Sequence, residues 1–168
     1  DLDITIVMVS HDFSDVLYLA NRGAIINNGR SLQQARVEAL FEKPNSKFTA
    51  GFVGMKNIYP VSRQNGALFL RDKNVYIRTA CKTDRNVQYM GIRPEDISLE
   101  VSGCQTWDNR FEGEIESISA NGFFMNVYLK TEDLRLHAVW PRTSVRNHSL
   151  YEGKTVVFGF PAEAVHIF

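Results

Sequence analysis

The run Ile4-Thr-Ile-Val-Met-Val-Ser-His-Asp12 ends a short, β-branched apolar segment on a histidine and an aspartate. A run this short and this rich in Ile and Val reads as a buried parallel strand, and polar groups at the C-terminal ends of such strands face the crevice where ligands bind in open α/β sheets. His11 stands at that point. By spacing alone, a lone histidine reads as a structural residue before a catalytic one. Asp12 is expected to cap the helix read over residues 13–22. The other candidates for chemistry are sparse. Cys81 and Cys104 are far apart and read as free thiols, and His11, His137, His148 and His166 form no metal-ligand spacing, so no metal site is expected. Glu112, Glu114 and Glu116 alternate with Phe111, Gly113 and Ile115, the pattern of a strand with one solvated face rather than a pair of catalytic carboxylates.

The elements expected to position these residues fall into two groups. Asn28-Gly29 is a strong type I′ hairpin signal with arms at residues 23–27 and 30–34. A short helix over residues 36–43 is stopped by Pro44, and a second over 46–53 takes Ser46 as its N-cap and ends at Gly54. From Asn57 helical patterns vanish. Candidate strands are 67–70, 75–78, 87–92, 111–119, 123–129, 134–140 and 155–160, with hairpin signals at Asn65-Gly66 and Asn121-Gly122, which predicts an all-β barrel or sandwich. Tyr89-Met-Gly-Ile-Arg-Pro-Glu-Asp-Ile-Ser-Leu99 and Val157-Phe-Gly-Phe-Pro-Ala-Glu-Ala-Val-His-Ile167 share Gly, apolar, Glu, Ile/Val and apolar positions in one register. That predicts a strand and tight turn used twice. The fold class expected is thus an α/β remnant over residues 1–56 followed by a mainly β, OB-like barrel over 57–168.

Lys plus Arg equals Asp plus Glu at 19 each, which gives no electrostatic pull toward nucleic acid and argues against a nucleic-acid partner. No apolar stretch approaches the ~20 residues of a membrane span.

V-S-H-D, the helix ending L-A-N-R, A-I-I-N-N-G-R and a proline about fifteen residues on resemble the last part of an ABC transporter ATPase. In that family the histidine, here His11, is the H-loop switch that contacts the γ-phosphate of ATP. No G-x-x-x-x-G-K-[ST] phosphate loop, no strand ending in Asp-Glu and no Ser-Gly-Gly signature occurs. The chain is therefore read as the C-terminal piece of a longer protein. ATP and magnesium are cofactors implied for the full-length parent, and the piece alone is expected to hold neither and to hydrolyse nothing. Pro44, Phe48, Phe52, Gly54 and Asn57 match the P-x-x-x-F-x-x-x-F-x-G-x-x-N link to the regulatory region of ABC importers. G-I-R-P-E-D-I at 91–97 is similar to an element of the region called TOBE.

The second half resembles the Mop-type oxyanion-binding module in Asn109, Gly113, Ile115, Asn121-Gly122, His137-Ala-Val139, Thr143-Ser144 and Leu150-x-x-Gly153. A tetrahedral oxyanion needs amides, hydroxyls and a cation around it. The resemblance implies such contacts at Asn109, Thr143 and Ser144, with Arg142 beside them to supply charge. Asp108 has the wrong sign for the family's usual arginine, and the last strand lacks the family's lysine. The resemblance points most to the molybdate/tungstate importer subgroup. It implies a homodimer attached through transmembrane permease subunits to the cytoplasmic face of the membrane. Importers for sulfate, sugar, polyamine or ferric iron share the architecture, with the barrel then a dimerisation module without ligand. A stand-alone oxyanion-binding Mop-like protein is the further alternative.

Overall fold

Glycine and asparagine set the turns of this chain. In the computed structural model, which describes residues 4–81, 87–100 and 106–168, Asn28, Gly29, Asn65 and Gly66 all adopt positive φ. Both pairs therefore form two-residue I′ hairpins. The third signal is used one residue later. Asn121 pairs with Phe124, leaving Gly122 and Phe123 as the loop, and only Gly122 has positive φ there, the pattern of a II′ turn. The chain divides into two units, Asp1–Val53 and Gly54–Phe168.

In the first unit, α1 (Phe13–Leu19), β1 (Arg22–Asn27), β2 (Arg30–Arg36), α2 (Val37–Glu42) and α3 (Lys47–Phe52) follow the sequence closely. Asp12 caps α1 by accepting from the Ser14 and Asp15 amides, and Ser46 caps α3 by accepting from the Thr49 amide. Gly54, at φ 99°, ends the passage. Ile25, Leu40 and Val53 form a small core, and Phe13 meets Phe41 and Phe52 edge-on, each at 5.3 Å. The α/β remnant expected here is not seen. The run Ile4–Val9 forms no strand, and Ile6, Val7 and Val9 are 82, 91 and 100 % exposed. A parallel strand exists only through neighbours on a sheet. The described sheet of this unit is the antiparallel β1–β2 pair alone.

The second unit is two five-stranded antiparallel sheets around one core. The first has the order β12-β6-β3-β4-β5, from β3 (Asn57–Gln64), β4 (Ala67–Leu70), β5 (Tyr76–Ile77), β6 (Tyr89–Ile92) and β12 (His166–Ile167). The second has the order β10-β9-β8-β11-β7, from β7 (Ser98–Leu99), β8 (Asn109–Asn121), β9 (Phe124–Lys130), β10 (Arg135–Pro141) and β11 (Thr155–Phe160). Helix α4 (Arg142–Asn147) lies between β10 and β11. Leu68, Ile77, Met90 and Ile92 of the first sheet share a core with Ile115, Leu129, Trp140, Phe158 and Phe160 of the second.

The two sheets are copies of one motif, and they exchange their last strands. β6 leads through a 3-10 turn at Pro94–Asp96 into β7, and β11 through one at Ala162–Ala164 into β12. β7 then pairs with β11 (Phe158 opposite Leu99) and β12 with β6 (Met90 opposite Ile167). Each short strand thus closes the other copy's sheet. The equivalence reaches single side chains. Asn57 begins β3 opposite Ile92, and Asn109 begins β8 opposite Phe160. Asn57 accepts from the His137 amide at 2.7 Å and donates to the His137 and Ile92 carbonyls. Asn109 accepts from the Arg78 amide at 2.7 Å and donates to the Arg78 and Phe160 carbonyls. Two residues before each asparagine a large side chain covers a glycine. A Cβ on Gly91 would stand 2.9 Å from Met55 Sδ, and one on Gly159 would stand 2.5 Å from the Trp107 ring.

β3 was absent from the strands read in the sequence, and Pro60 is the reason. It falls where β3 stops pairing with β6 and starts pairing with β4, so its missing N–H costs no ladder bond. α4 departs from the expectation that helical patterns end at Asn57. Cys104 lies outside the described residues, and Cys81 is an exposed free thiol.

Each asparagine satisfies three backbone groups that truncation would orphan. Asn57→Ala and Asn109→Ala should each lower unfolding free energy by about 2–4 kcal/mol, read from urea denaturation of the whole chain. A loss under about 0.5 kcal/mol, the scale of an ordinary surface substitution, at either position would show that the amide is not what joins the sheets.

Candidate functional site

His11 is exposed and sits between a free apolar run and the capped start of α1. Ser10 Oγ accepts from the Asp12 amide at 3.0 Å, so the Ser-His-Asp turn is ordered by its serine and aspartate and leaves the imidazole outside. Among the described residues no group of three or more His, Cys, Asp or Glu is placed to hold a metal ion.

The four oxyanion candidates occupy two different settings. Asn109 is buried, and its amide is committed to Arg78 and Phe160. Arg142, Thr143 and Ser144 share the first turn of α4, with Arg142 and Thr143 exposed and Ser144 half-buried. Asn109 opens the 13-residue β8 and Asn121 closes it, roughly 40 Å of strand at about 3.3 Å per residue. α4 belongs to the far end: Pro141 pairs with Phe124, which pairs with Asn121, and the Arg142 amide donates to the Phe123 carbonyl. Within one chain the structure brings the three α4 residues together and does not bring Asn109 to them.

Asp108 has a task of its own. Its Oδ2 accepts from the Ala162 amide at 2.9 Å, holding the 3-10 turn of the second copy. In the first copy the matching positions are Lys56 and Pro94. Proline has no N–H to satisfy, so no acid is needed there.

Among the described residues of this unit four titratable groups are shifted, and one is Asp96, whose carboxyl is pushed up by burial and then by Glu95 against the pull of Arg93. Burial pushes the Tyr59 phenol up to about 12, and its hydroxyl donates to the Arg135 carbonyl. Burial, helped by Lys56 and opposed by Glu95, holds the His137 imidazole below its usual range. Its Nε2 stands 3.1 Å from Asn126 Oδ1, and its ring stacks on Tyr128 at 4.7 Å. Burial and then Arg93 do the same to His166.

Comparison with known proteins gives both sequence relatives and a shared fold. The family described as TOBE domain matches residues 90–168. The molybdate/tungstate import ATP-binding protein WtpC of Pyrococcus horikoshii is 30% identical over 169 residues, which is 100% of this chain and 48% of that protein. In these ABC importer ATP-binding subunits it is the C-terminal part that is similar to this chain. The sulfate/thiosulfate import ATP-binding protein CysA of Brucella melitensis is 35% identical over 100 residues, 60% of this chain and 27% of that protein. The chain spans about half the length of the curated relatives it matches over its whole extent. A crystal structure of the cytoplasmic molybdate-binding protein ModG, with molybdate bound, covers 67% of this chain and 95% of its own at a TM-score of 0.53 and 12% identity. That likeness gives the OB-like TOBE/Mop fold. The structure also shows more than the TOBE match does: the β-rich unit starts at β3, before residue 90, because the first copy supplies β3 to β5.

The asparagine pair was only half seen in the sequence. Asn57-Ile-Tyr and Asn109-Arg-Phe share an Asn-x-aromatic pattern that could have extended the repeat backward.

His137 and His166 stay neutral in the fold more readily than in the open chain. Below about pH 6.5 the unfolded chain therefore takes up more protons than the folded one, and stability present above that pH falls as pH drops through it. Urea midpoints should be lower at pH 5 than at pH 7.5, with the difference reduced in His137→Gln. A midpoint equal at both pH values would contradict the shifts.

Proposed function

We propose that this chain is the regulatory end of the ATP-hydrolysing subunit of an ABC importer, and that the importer carries molybdate or tungstate. The observation that carries the reading is the match to WtpC over the whole of this chain and about half of that protein, supported by a fold shared with a molybdate-binding protein. In the full-length protein, ATP and magnesium are held by residues outside this chain, and His11 is the residue of this chain that faces the nucleotide. The subunit works as a homodimer on transmembrane permease subunits, at the cytoplasmic face of the membrane. Among the described residues no helix is long and apolar enough to cross it.

The oxyanion contact belongs to Arg142, Thr143 and Ser144, two hydroxyls and a guanidinium on one turn. Asn109 serves that reading as the residue that fixes β8 rather than as a ligand.

Thermal melts of the chain with molybdate, tungstate, sulfate and phosphate at matched ionic strength test this. A micromolar site at millimolar ligand stabilises by about 4 kcal/mol, several degrees in a domain of this size. Molybdate and tungstate should raise the midpoint, and Thr143→Val with Arg142→Ala should abolish the rise. A midpoint that moves no more than with chloride removes the oxyanion contact and leaves the barrel as a dimerisation module.

A further inference from the structure

Residues directly opposite on neighbouring antiparallel strands share a face of the sheet. On the face of the second sheet turned away from the core, Lys130 of β9 stands opposite Glu114 of β8, Tyr128 opposite Ser117, Asn126 opposite Ser119 and Phe124 opposite Asn121. Ser117 and Asn126 are half-buried and the others are exposed. The Tyr128 and Phe124 side chains are 44 and 49 % exposed, large apolar surface on an open sheet. The His137 ring, opposite Tyr128 on β10, covers one side of the phenol ring at 4.7 Å, so Tyr128 is open on the side toward Ser117.

At each level β9 thus carries the large or basic member and β8 the small or acidic one. Glu116, at the irregularity of β8 between Ile115 and Ser117, is held by Arg135 at 2.8 Å. Glu112 lies one level further on, past the end of β9 at Lys130. A second copy of the chain is the surface that answers this layout. A two-fold axis running along the strands, between β8 and β9, turns the face onto itself and keeps every residue at its own level. Lys130 then meets Glu114 of the second copy, Tyr128 meets its Ser117, Asn126 its Ser119 and Phe124 its Asn121, and each contact is made twice. Large side chains fall over small ones, and the basic group falls over the acidic one. An axis across the strands would instead stack β9 on β9 and β8 on β8, large upon large and small upon small. Sheets that pack with their strands nearly aligned need interdigitating side chains at a spacing of about 10 Å.

We propose that the chain pairs with a second copy of itself through this face, β9 of each lying over β8 of the other. The inference rests on the homodimer reading above and names the surface that carries it. It uses no residue of the α4 trio, so it stands or falls independently of the oxyanion contact.

Sedimentation equilibrium of the whole chain over a range of concentrations tests it. The chain should show a reversible monomer–dimer equilibrium. Ser119→Arg, which fills the small side of one level, should leave a monomer whose melting midpoint stays within a few degrees of the unaltered chain's. Glu114→Lys should weaken the dimer about tenfold or more, and so should Lys130→Glu, because each sets like charges across the contact. Mixing those two variants decides the register. Combined in equal amounts they carry opposite charges at both symmetry-related contacts, and a heterodimer should form with close to the unaltered affinity. No effect confined to one chain produces that rescue. A chain that stays monomeric overturns the proposal and leaves pairing of the full-length subunit to contacts outside this chain. A dimer that persists in Ser119→Arg, or variants that stay apart when mixed, overturns it too and assigns the pairing to another face.

Discussion

Two carboxamides join the sheets of the β-rich unit. A side-chain amide carries the donor and acceptor of a peptide group at the end of a short stem. Asn57 and Asn109 use it to extend one sheet's hydrogen bonding onto a strand of the other, Asn57 from β3 to His137 on β10 and Asn109 from β8 to Arg78 beyond β5. Both are buried at the start of a strand. A buried backbone group without a partner costs far more than an exposed one, so the arrangement is self-enforcing. The chain can bury the beginnings of β3 and β8 only if the two sheets meet in this register.

The strand exchange follows from the same constraint. Each 3-10 turn throws its short strand across to the other copy, so β7 cannot form without β11, nor β12 without β6. Two-residue strands have no stability of their own; here they are held because their carriers are already fixed by the asparagines and by glycines that only hydrogen fits. A Cβ at Gly159 would meet Asn109 O at 2.5 Å. Neither copy is therefore expected to fold as a separate half, and edges that would otherwise be open to other chains are covered from within.

Much of this was legible from local signals. Asn-Gly turns, the Asp12 and Ser46 caps and the alternating strands 67–70 and 155–160 are properties of a few adjacent residues. What was not legible depends on contacts distant in sequence. Ile4–Val9 has the composition of a buried strand, yet composition cannot supply the neighbouring strands that a parallel ladder needs. Pro60 hides β3 because a proline in a strand looks like a break unless the change of pairing partner at that residue is known. Asn109 and Thr143-Ser144 were grouped through a family resemblance, but β8 holds them at opposite ends. The resemblance carried the identity of the module, whereas the separation of those residues is a matter of strand length.

The repeat also separates scaffold from specialisation. Positions kept in both copies, Asn57 with Asn109 and Gly91 with Gly159, are those where geometry admits one solution. Where the copies diverge, the divergence comes in matched sets. Lys56 goes with Pro94, which has no amide to cap, and Asp108 goes with Ala162, whose amide it caps at 2.9 Å. Tyr89 and Phe168 stack their rings, while Glu100, at the position matching Phe168, pairs with Arg110. Apolar stacking would have stabilised the second copy as it does the first, since burial of an aromatic ring is among the larger single contributions to a core. In the second copy the matching contact is an ion pair whose Glu100 side is covered and whose Arg110 side is half exposed. One backbone thus carries two different side-chain sets at this place, so its course is set by the shared asparagines and glycines and not by the contact that each copy makes beside them.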